Sequence, residues 1–329
     1  MAEIGEPVLD GRYVLLRQVK GCIGGARILL GDRGICRYCG GRNPKTFRKI
    51  AHAIPEALGN KWIISADECD VCNHAFSLYD DALATSVSPL LTLGGTAGKS
   101  NKVRQTGRTA GDAVIRRDGR GLSISTKADP KDHVSFDPDS GRFRLAIPVA
   151  GVPFRPRHAY KALSKIGVAL LPDDELNNYQ RLRAWLLDVG DTLEFPVLDV
   201  AMSFGAIGHA PPLVAASLLR RINPQDDVPH ILLILCAGSV CLQIDLMSDY
   251  LDHHVPPTPM GSVNIKWSLV LAARPGRDPV EIDYGAPIHQ NWSASETTPQ
   301  PIETMVLDFN PQTSVGRFTP VFRAGTALT

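Results

Sequence analysis

The chain has 329 residues, 44% of them hydrophobic and 21% charged, which is room for about two domains with the balance of an ordinary globular protein. No apolar run reaches the ~18–20 residues of a membrane span; the longest, Val228–Leu246, is broken by Ala237-Gly238-Ser239 and carries Asp245. The N-terminus has acids (Glu3, Glu6) where a secretory signal would have bases, so the expected compartment is the cytoplasm and no membrane partner is expected. Net charge is only +1, but residues 32–50 carry a local +5 (Arg33, Arg37, Arg42, Lys45, Arg48 and Lys49 against Asp32), and residues 99–120 another +5. Positive charge gathered in the first 120 residues is what a domain meeting a polyanion would need; two solvated loops are the alternative.

In chain order, residues 11–19 look like a strand able to pair with later segments. Next come two CxxC pairs, Cys36-Arg37-Tyr38-Cys39 and Cys69-Asp70-Val71-Cys72. Without a secretory signal, seven cysteines do not suggest a disulfide framework. Two CxxC turns can instead place four thiolates around one metal, the tetrahedral sulfur shell that Zn2+ favours, with a redox pair as the alternative. Cys22, Cys236 and Cys241 lack such partners, and the last two read as core thiols. Between the knuckles runs Phe47-Arg48-Lys49-Ile50-Ala51-His52-Ala53-Ile54-Pro55-Glu56-Ala57-Leu58-Gly59-Asn60, then Trp62-Ile63-Ile64-Ser65. Asn73-His74-Ala75-Phe76 follows directly on the second knuckle.

Two knuckles, a His-x-Ile-Pro between them and an Asn just after the last Cys resemble the zinc-stapled HNH endonucleases. Within these, the chain is similar to bacterial proteins with an "AHxIPEALGN…ECDxCN" signature, over about residues 33–100. The resemblance implies a ββα-metal unit: two short strands, a loop and a helix, clamped by structural zinc. It implies that His52 ends the first strand as general base, taking a proton from the attacking water. Asn73 would open the helix and bind one divalent cation, Mg2+ or Mn2+, and Asn60 would fix the loop that orients the base. The products would carry 5′-phosphate and 3′-hydroxyl ends, and the setting would be restriction or anti-phage defence. The residue before the base is Ala51 rather than the Asp or Glu common in the family, so another carboxylate would have to ligate the metal. Asp80, seven residues after Asn73 and so on the same helix face, is the first candidate, and Glu56 the second. Plainer roles are open for each: a structural histidine at 52, a helix cap at 73, a solvent-facing acid at 80.

Gly94-Gly95-Thr96-Ala97-Gly98-Lys99-Ser100 imitates a phosphate loop, but Leu93 stands where its first glycine belongs. Arg48, Lys49, Lys99, Lys102, Arg104 and Arg108 are the expected DNA backbone contacts, giving affinity without sequence preference. Beyond residue 105 the sequence predicts strands at Leu122–Lys127 and Phe143–Val149 joined by the turn at 137–141, then an amphipathic helix at His158–Leu171 with Ala159, Leu163, Ile166 and Leu170 on one stripe. A second helix is expected at Glu175–Val189, capped by Asp173-Asp174. Strands follow near Pro196–Ser203, His230–Cys236, Val240–Met247, Asn264–Ala272 and Thr304–Phe309, with Ala237-Gly238-Ser239 as a hairpin turn. Residues 291–303 read as a loop and 316–329 as partly ordered. Asp249, Asp252, His253 and His254 read as a polar loop.

The expected fold class is α+β: an N-terminal strand segment (1–30), a zinc-stapled HNH unit (31–104), and an α+β domain with a mixed or antiparallel sheet (105–329). Two functions stand against each other, a DNA-cleaving endonuclease and a zinc-stapled nucleic-acid- or protein-binding module that has lost catalysis. A nuclease subunit working with a protein partner, through the C-terminal domain, is a third.

Overall fold

The computed structural model describes residues 11–22, 24–106, 113–118, 121–126, 129–148, 152–193, 198–205, 213–255, 268–271, 280–310 and 315–322. From the N-terminus come β1 (Tyr13–Cys22), β2 (Ile28–Leu30), β3 (Ala51–His52), β4 (Ile63–Ser65), α1 (Asp70–Ser86) and α2 (Ser88–Gly94). Two hairpins follow, β5 (Ala113–Asp118) with β6 (Gly121–Thr126), and β7 (Val134–Asp137) with β8 (Arg142–Pro148). Helices α3 (Pro156–Leu170) and α4 (Gln180–Leu187) lead to β9 (Asp199–Phe204), β10 (Leu213–Arg221), β11 (Ile231–Ala237) and β12 (Val240–Asp245). The last strands are β13 (Ser268–Leu271), β14 (Val280–Asp283), β15 (Ile288–Asn291), β16 (Ile302–Asn310) and β17 (Val315–Phe322). Helices and mixed sheets together make this an α+β protein, as expected.

The largest sheet runs β1-β10-β11-β12-β9-β15 and is antiparallel throughout. Successive residues of a strand face opposite sides, and here both sides are covered. Val214, Ala216 and Leu218 join the core that contains α3, while Leu213, Ala215 and Leu219 join a second cluster with Tyr13, Ile234 and Tyr284. That explains why β10 escapes the sequence reading: a strand buried on both faces shows no apolar–polar alternation.

Helix α3 lies on the sheet, against β10 and β11, and α1 packs on the outer side of α3. From His158 to Leu170 every residue of α3 is therefore buried, its polar face included. A Cβ at Gly167 would come within 2.5 Å of Leu246 Cδ1, so glycine is what allows this helix to lie so close to the sheet. One continuous core runs from Leu30, Tyr38 and Phe76 through Leu163 and Ile166 to Leu233 and Ile244. The N-terminal strand β1 pairs with β10, so the segment before the knuckles is built into the sheet that follows them.

Two local expectations need correction. The turn at 137–141 joins β7 to β8, and the strand at 122–127 pairs instead with β5. The second helix is split, a 3-10 turn at Leu176–Tyr179 preceding α4. Of the C-terminal segment expected to be partly ordered, the described part belongs to β17, paired along β16. Parts of the strands expected at Pro196–Ser203 and Asn264–Ala272 lie outside the described residues; β9 and β13 occupy the described parts.

Candidate active site and metal centre

Both knuckles curl so that their sulfurs converge. Cys36, Cys39, Cys69 and Cys72 have all four Sγ atoms within 4.8 Å of one another. Four sulfurs bound at about 2.3 Å to one tetrahedral zinc would lie about 3.8 Å apart, and the Cys36–Cys72 and Cys39–Cys69 separations are 3.7 and 3.8 Å. The donor set and spacing fit zinc. Backbone amides support the sulfurs: Gly41 N–H donates to Cys39 Sγ at 3.4 Å and Cys69 N–H to Cys36 Sγ at 3.5 Å. Gly40, at φ +70°, takes the left-handed turn that closes the first knuckle.

The first knuckle is also tied to the rest of the chain. Arg37 is buried; its guanidinium donates to Asp67 at 2.6 Å, to the Leu171 carbonyl at 2.9 Å and to Asp173 at 2.8 Å. Burial opposes its charge, but Asp67 and Asp173 carry it above its ordinary value. Arg37 therefore belongs to the interior and leaves the basic surface counted from the sequence, and Asp173 is a partner of Arg37. From α4, Arg183 donates to the Tyr38 carbonyl at 3.1 Å; burial lowers its pKa, while the charge of Cys36 and Cys39 works the other way. A cation so placed offsets thiolate charge.

Next to the metal centre stands the ββα arrangement. β3 and β4 are antiparallel, His52 opposite Ile64, and β2 adds a parallel partner to β4. Asn60 is fully buried and clamps the connecting loop. Its Nδ2 donates to the carbonyls of Ile54 (2.7 Å) and Ile63 (2.8 Å), and its Oδ1 accepts the amides of Trp62 (3.0 Å) and Ile63 (2.9 Å). All the hydrogen-bonding capacity of this amide is used. His52 is half-buried, and burial lowers its imidazole pKa below 6.5; Glu56 and Asp80 oppose the shift, Lys165 and Lys61 add to it. The imidazole is thus neutral at pH 7, with a lone pair able to accept a proton. Ala51, beside it, is buried.

Helix α1 begins at Asp70, capped by Cys69, so Asn73 does not open it but lies in its first turn, donating its N–H to Cys69 O at 2.9 Å. No hydrogen bond to a described residue engages its side-chain amide. Asp80 is differently placed: both carboxylate oxygens accept from Lys165 Nζ, at 3.2 and 3.1 Å. Lys165 thus competes with any metal for the Asp80 oxygens. Glu56, the second candidate, is held by Lys61 at 2.6 Å. Lys165 comes from α3, far along the chain, and also donates to the His52 carbonyl at 3.3 Å. Its Nζ is 3.8 Å from Glu68, whose carboxyl is pushed up to about 8 by burial. Lys165 and Glu68 escaped the sequence reading; a lysine inside the 3.6-residue pattern of a buried helix was the available signal.

The expected nucleic-acid contacts divide. Arg48 and Lys49 are exposed, their backbone amides bound by Asp70 Oδ1 at 3.2 and 2.9 Å. Lys102 is exposed, and Arg104 pairs with Asp81 at 3.1 Å. Lys99 lies in the 3-10 turn after α2, and Arg108 lies outside the described residues. The phosphate-loop imitation is the end of α2, with Gly95 as its left-handed cap. Of the distant polar loop, Asp252 accepts the amides of His230 (2.7 Å) and Ser248 (3.1 Å), a structural role.

The site therefore sets a four-cysteine cluster that fits zinc beside two short antiparallel strands and helix α1. The family model for HNH endonucleases matches residues 36–86, the segment that holds the four-cysteine cluster. No curated protein and no solved structure matches the chain. No helix among the described residues is long and apolar enough to cross a membrane.

Proposed function

We propose that this protein is a metal-dependent endonuclease that hydrolyses DNA phosphodiester bonds, with His52 as its general base. The observation that carries this reading is a half-buried imidazole at the end of β3, held below its ordinary pKa by burial and facing Glu56 and Asp80, inside a segment matching the HNH family. His52 would take the proton of the attacking water, a contribution of about 10²–10⁴-fold. Asn60 would hold the loop on which the base depends. Asn73 would hold one Mg2+ or Mn2+ together with water and substrate phosphate, the way Mg2+ is usually bound, and the ion would neutralise charge on the phosphate. Arg48, Lys49, Lys99, Lys102, Arg104 and Arg108 would contact backbone phosphates. Restriction or anti-phage defence in the cytoplasm is the proposed setting, with the region after residue 105 receiving a protein partner or signal.

A second reading, a DNA- or protein-binding module without turnover, is favoured by Ala51 and by the engagement of Asp80 with Lys165. Incubation of the purified protein with supercoiled plasmid and single-stranded DNA in Mg2+ or Mn2+ separates the two. Nicking that disappears in His52→Ala supports the nuclease; a zinc-loaded protein that binds DNA and cuts none supports the module.

A further inference from the structure

Lys165 has no obvious reason to be where it is. Its side chain is fully buried on a helix whose neighbours are otherwise mostly apolar, and buried ion pairs are seldom more stable than the apolar packing that could replace them. Burial works against its charge, yet Asp80, hydrogen-bonded to it, holds the ammonium above its ordinary value. Its contacts all lie at one place. It binds both oxygens of Asp80 on α1, stands 3.8 Å from Glu68 ahead of α1, and bonds the backbone carbonyl of His52 at 3.3 Å.

β3 is only two residues long, its register limited to Ala51–Ser65 and His52–Ile64. So short a ladder leaves the direction of the imidazole to a few bonds. Two of them come from side chains: Asn60 takes the carbonyl of Ile54, and Lys165 takes the carbonyl of His52 itself. Of these, Asn60 belongs to the HNH segment and Lys165 does not.

We propose that Lys165 is a positioning residue for His52: α3 of the C-terminal region sets the orientation of the base through the ammonium it inserts between Asp80 and the His52 carbonyl. This rests on the reading of His52 as the base. The segment matched by the family then takes part of its reactive geometry from a helix outside the match. Asp80 is a counter-ion that holds Lys165.

Lys161 provides the control. One turn earlier on α3, it is equally buried, but it bonds Asp191 at 2.7 Å and the Asp188 carbonyl at 2.6 Å and bonds no group of β3. Full-length Lys165→Met and Lys161→Met are compared at a temperature where both are folded and hold equal zinc. In single-turnover cleavage Lys165→Met falls about 10–100-fold, the scale of a misplaced reacting group, with plasmid affinity within about twofold of the wild type; Lys161→Met stays within about threefold. In a His52→Ala background, Lys165→Met adds no further loss. Hydrogen exchange of the peptide spanning residues 50–56 rises in Lys165→Met and not in Lys161→Met. Equal losses in the two lysine variants, a full Lys165→Met loss on top of His52→Ala, or unchanged exchange at 50–56 would each overturn the proposal. If the wild type cuts nothing, it is the nuclease reading that fails, and the exchange comparison still decides whether Lys165 holds β3.

Discussion

The two ends of the HNH unit are built on different principles. At the metal end, all four candidate ligands come from Cys36–Cys72, each pair with two residues between its cysteines, and nearby amides support the sulfurs. At the His52 end, local bonds from Asn60 are joined by a lysine from α3, 113 residues further on. The sulfur set itself is local, and a metal–thiolate shell supplies its own folding energy; the host reaches that end only through bonds to Arg37 and Tyr38, around the sulfurs rather than at them. If His52 is the base, as proposed, its imidazole must be fixed on a two-residue strand, and Lys165 adds a bond there that the local chain does not supply. A module recognisable from about fifty residues can therefore depend on its host for the geometry of its chemistry.

The comparison can be broken most forcefully at the metal end. Structural zinc in small modules is worth about 10–16 kcal/mol, so Cys69→Ser should lose zinc by metal analysis, unfold the segment around 36–86 in hydrogen exchange, and abolish cleavage. A zinc-free variant with native exchange there would show that the knuckles do not need their metal. His52→Ala should lower cleavage about 10²–10⁴-fold while keeping zinc and melting temperature.

The rate–pH profile sharpens this. His52 is held below its ordinary 6.5 chiefly by burial, so the base is in its neutral form above that pH. Activity should be flat through neutrality and decline only as pH falls below about 6.5 and the imidazole gains its proton. An acidic limb centred above 7 would contradict the assignment.

Asn60→Ala takes the side-chain donor from the Ile54 carbonyl and the acceptor from the Trp62 and Ile63 amides, while the Ile63 carbonyl keeps the Ala53 N–H. The expected cost is about 1–3 kcal/mol in a denaturant melt for an unsatisfied group, with cleavage reduced and zinc retained. Smallest is the effect of exposed charge: Arg48→Ala with Lys49→Ala should reduce the salt slope of DNA affinity by about 2, with no change in stability. An unchanged slope would move the DNA path away from the first knuckle.

What could be read from the sequence follows the same division. The knuckles, the His52–Asn60 segment and the fold class were legible because they depend on neighbours in sequence. The Lys165 network was not, since a contact across 113 residues leaves no spacing to read. Arg37 looked like part of a basic surface because charge counts carry no burial; Asp67, Asp173 and the Leu171 carbonyl draw it inside. Asp80 lies on the helix face that the spacing from Asn73 implies, and its partner there, Lys165, comes from too far along the chain to be read from that spacing. The β5–β6 pairing was missed because the partner, Ala113–Asp118, is basic and gave no strand signal.

The measurement that bears most directly on the central claim is single-turnover cleavage of plasmid DNA by the full-length, zinc-loaded protein against His52→Ala at equal zinc content and equal DNA occupancy. The account predicts Mg2+- or Mn2+-dependent nicking by the wild type and a loss of at least about 100-fold in the variant. Nicking that survives unchanged in His52→Ala would contradict it.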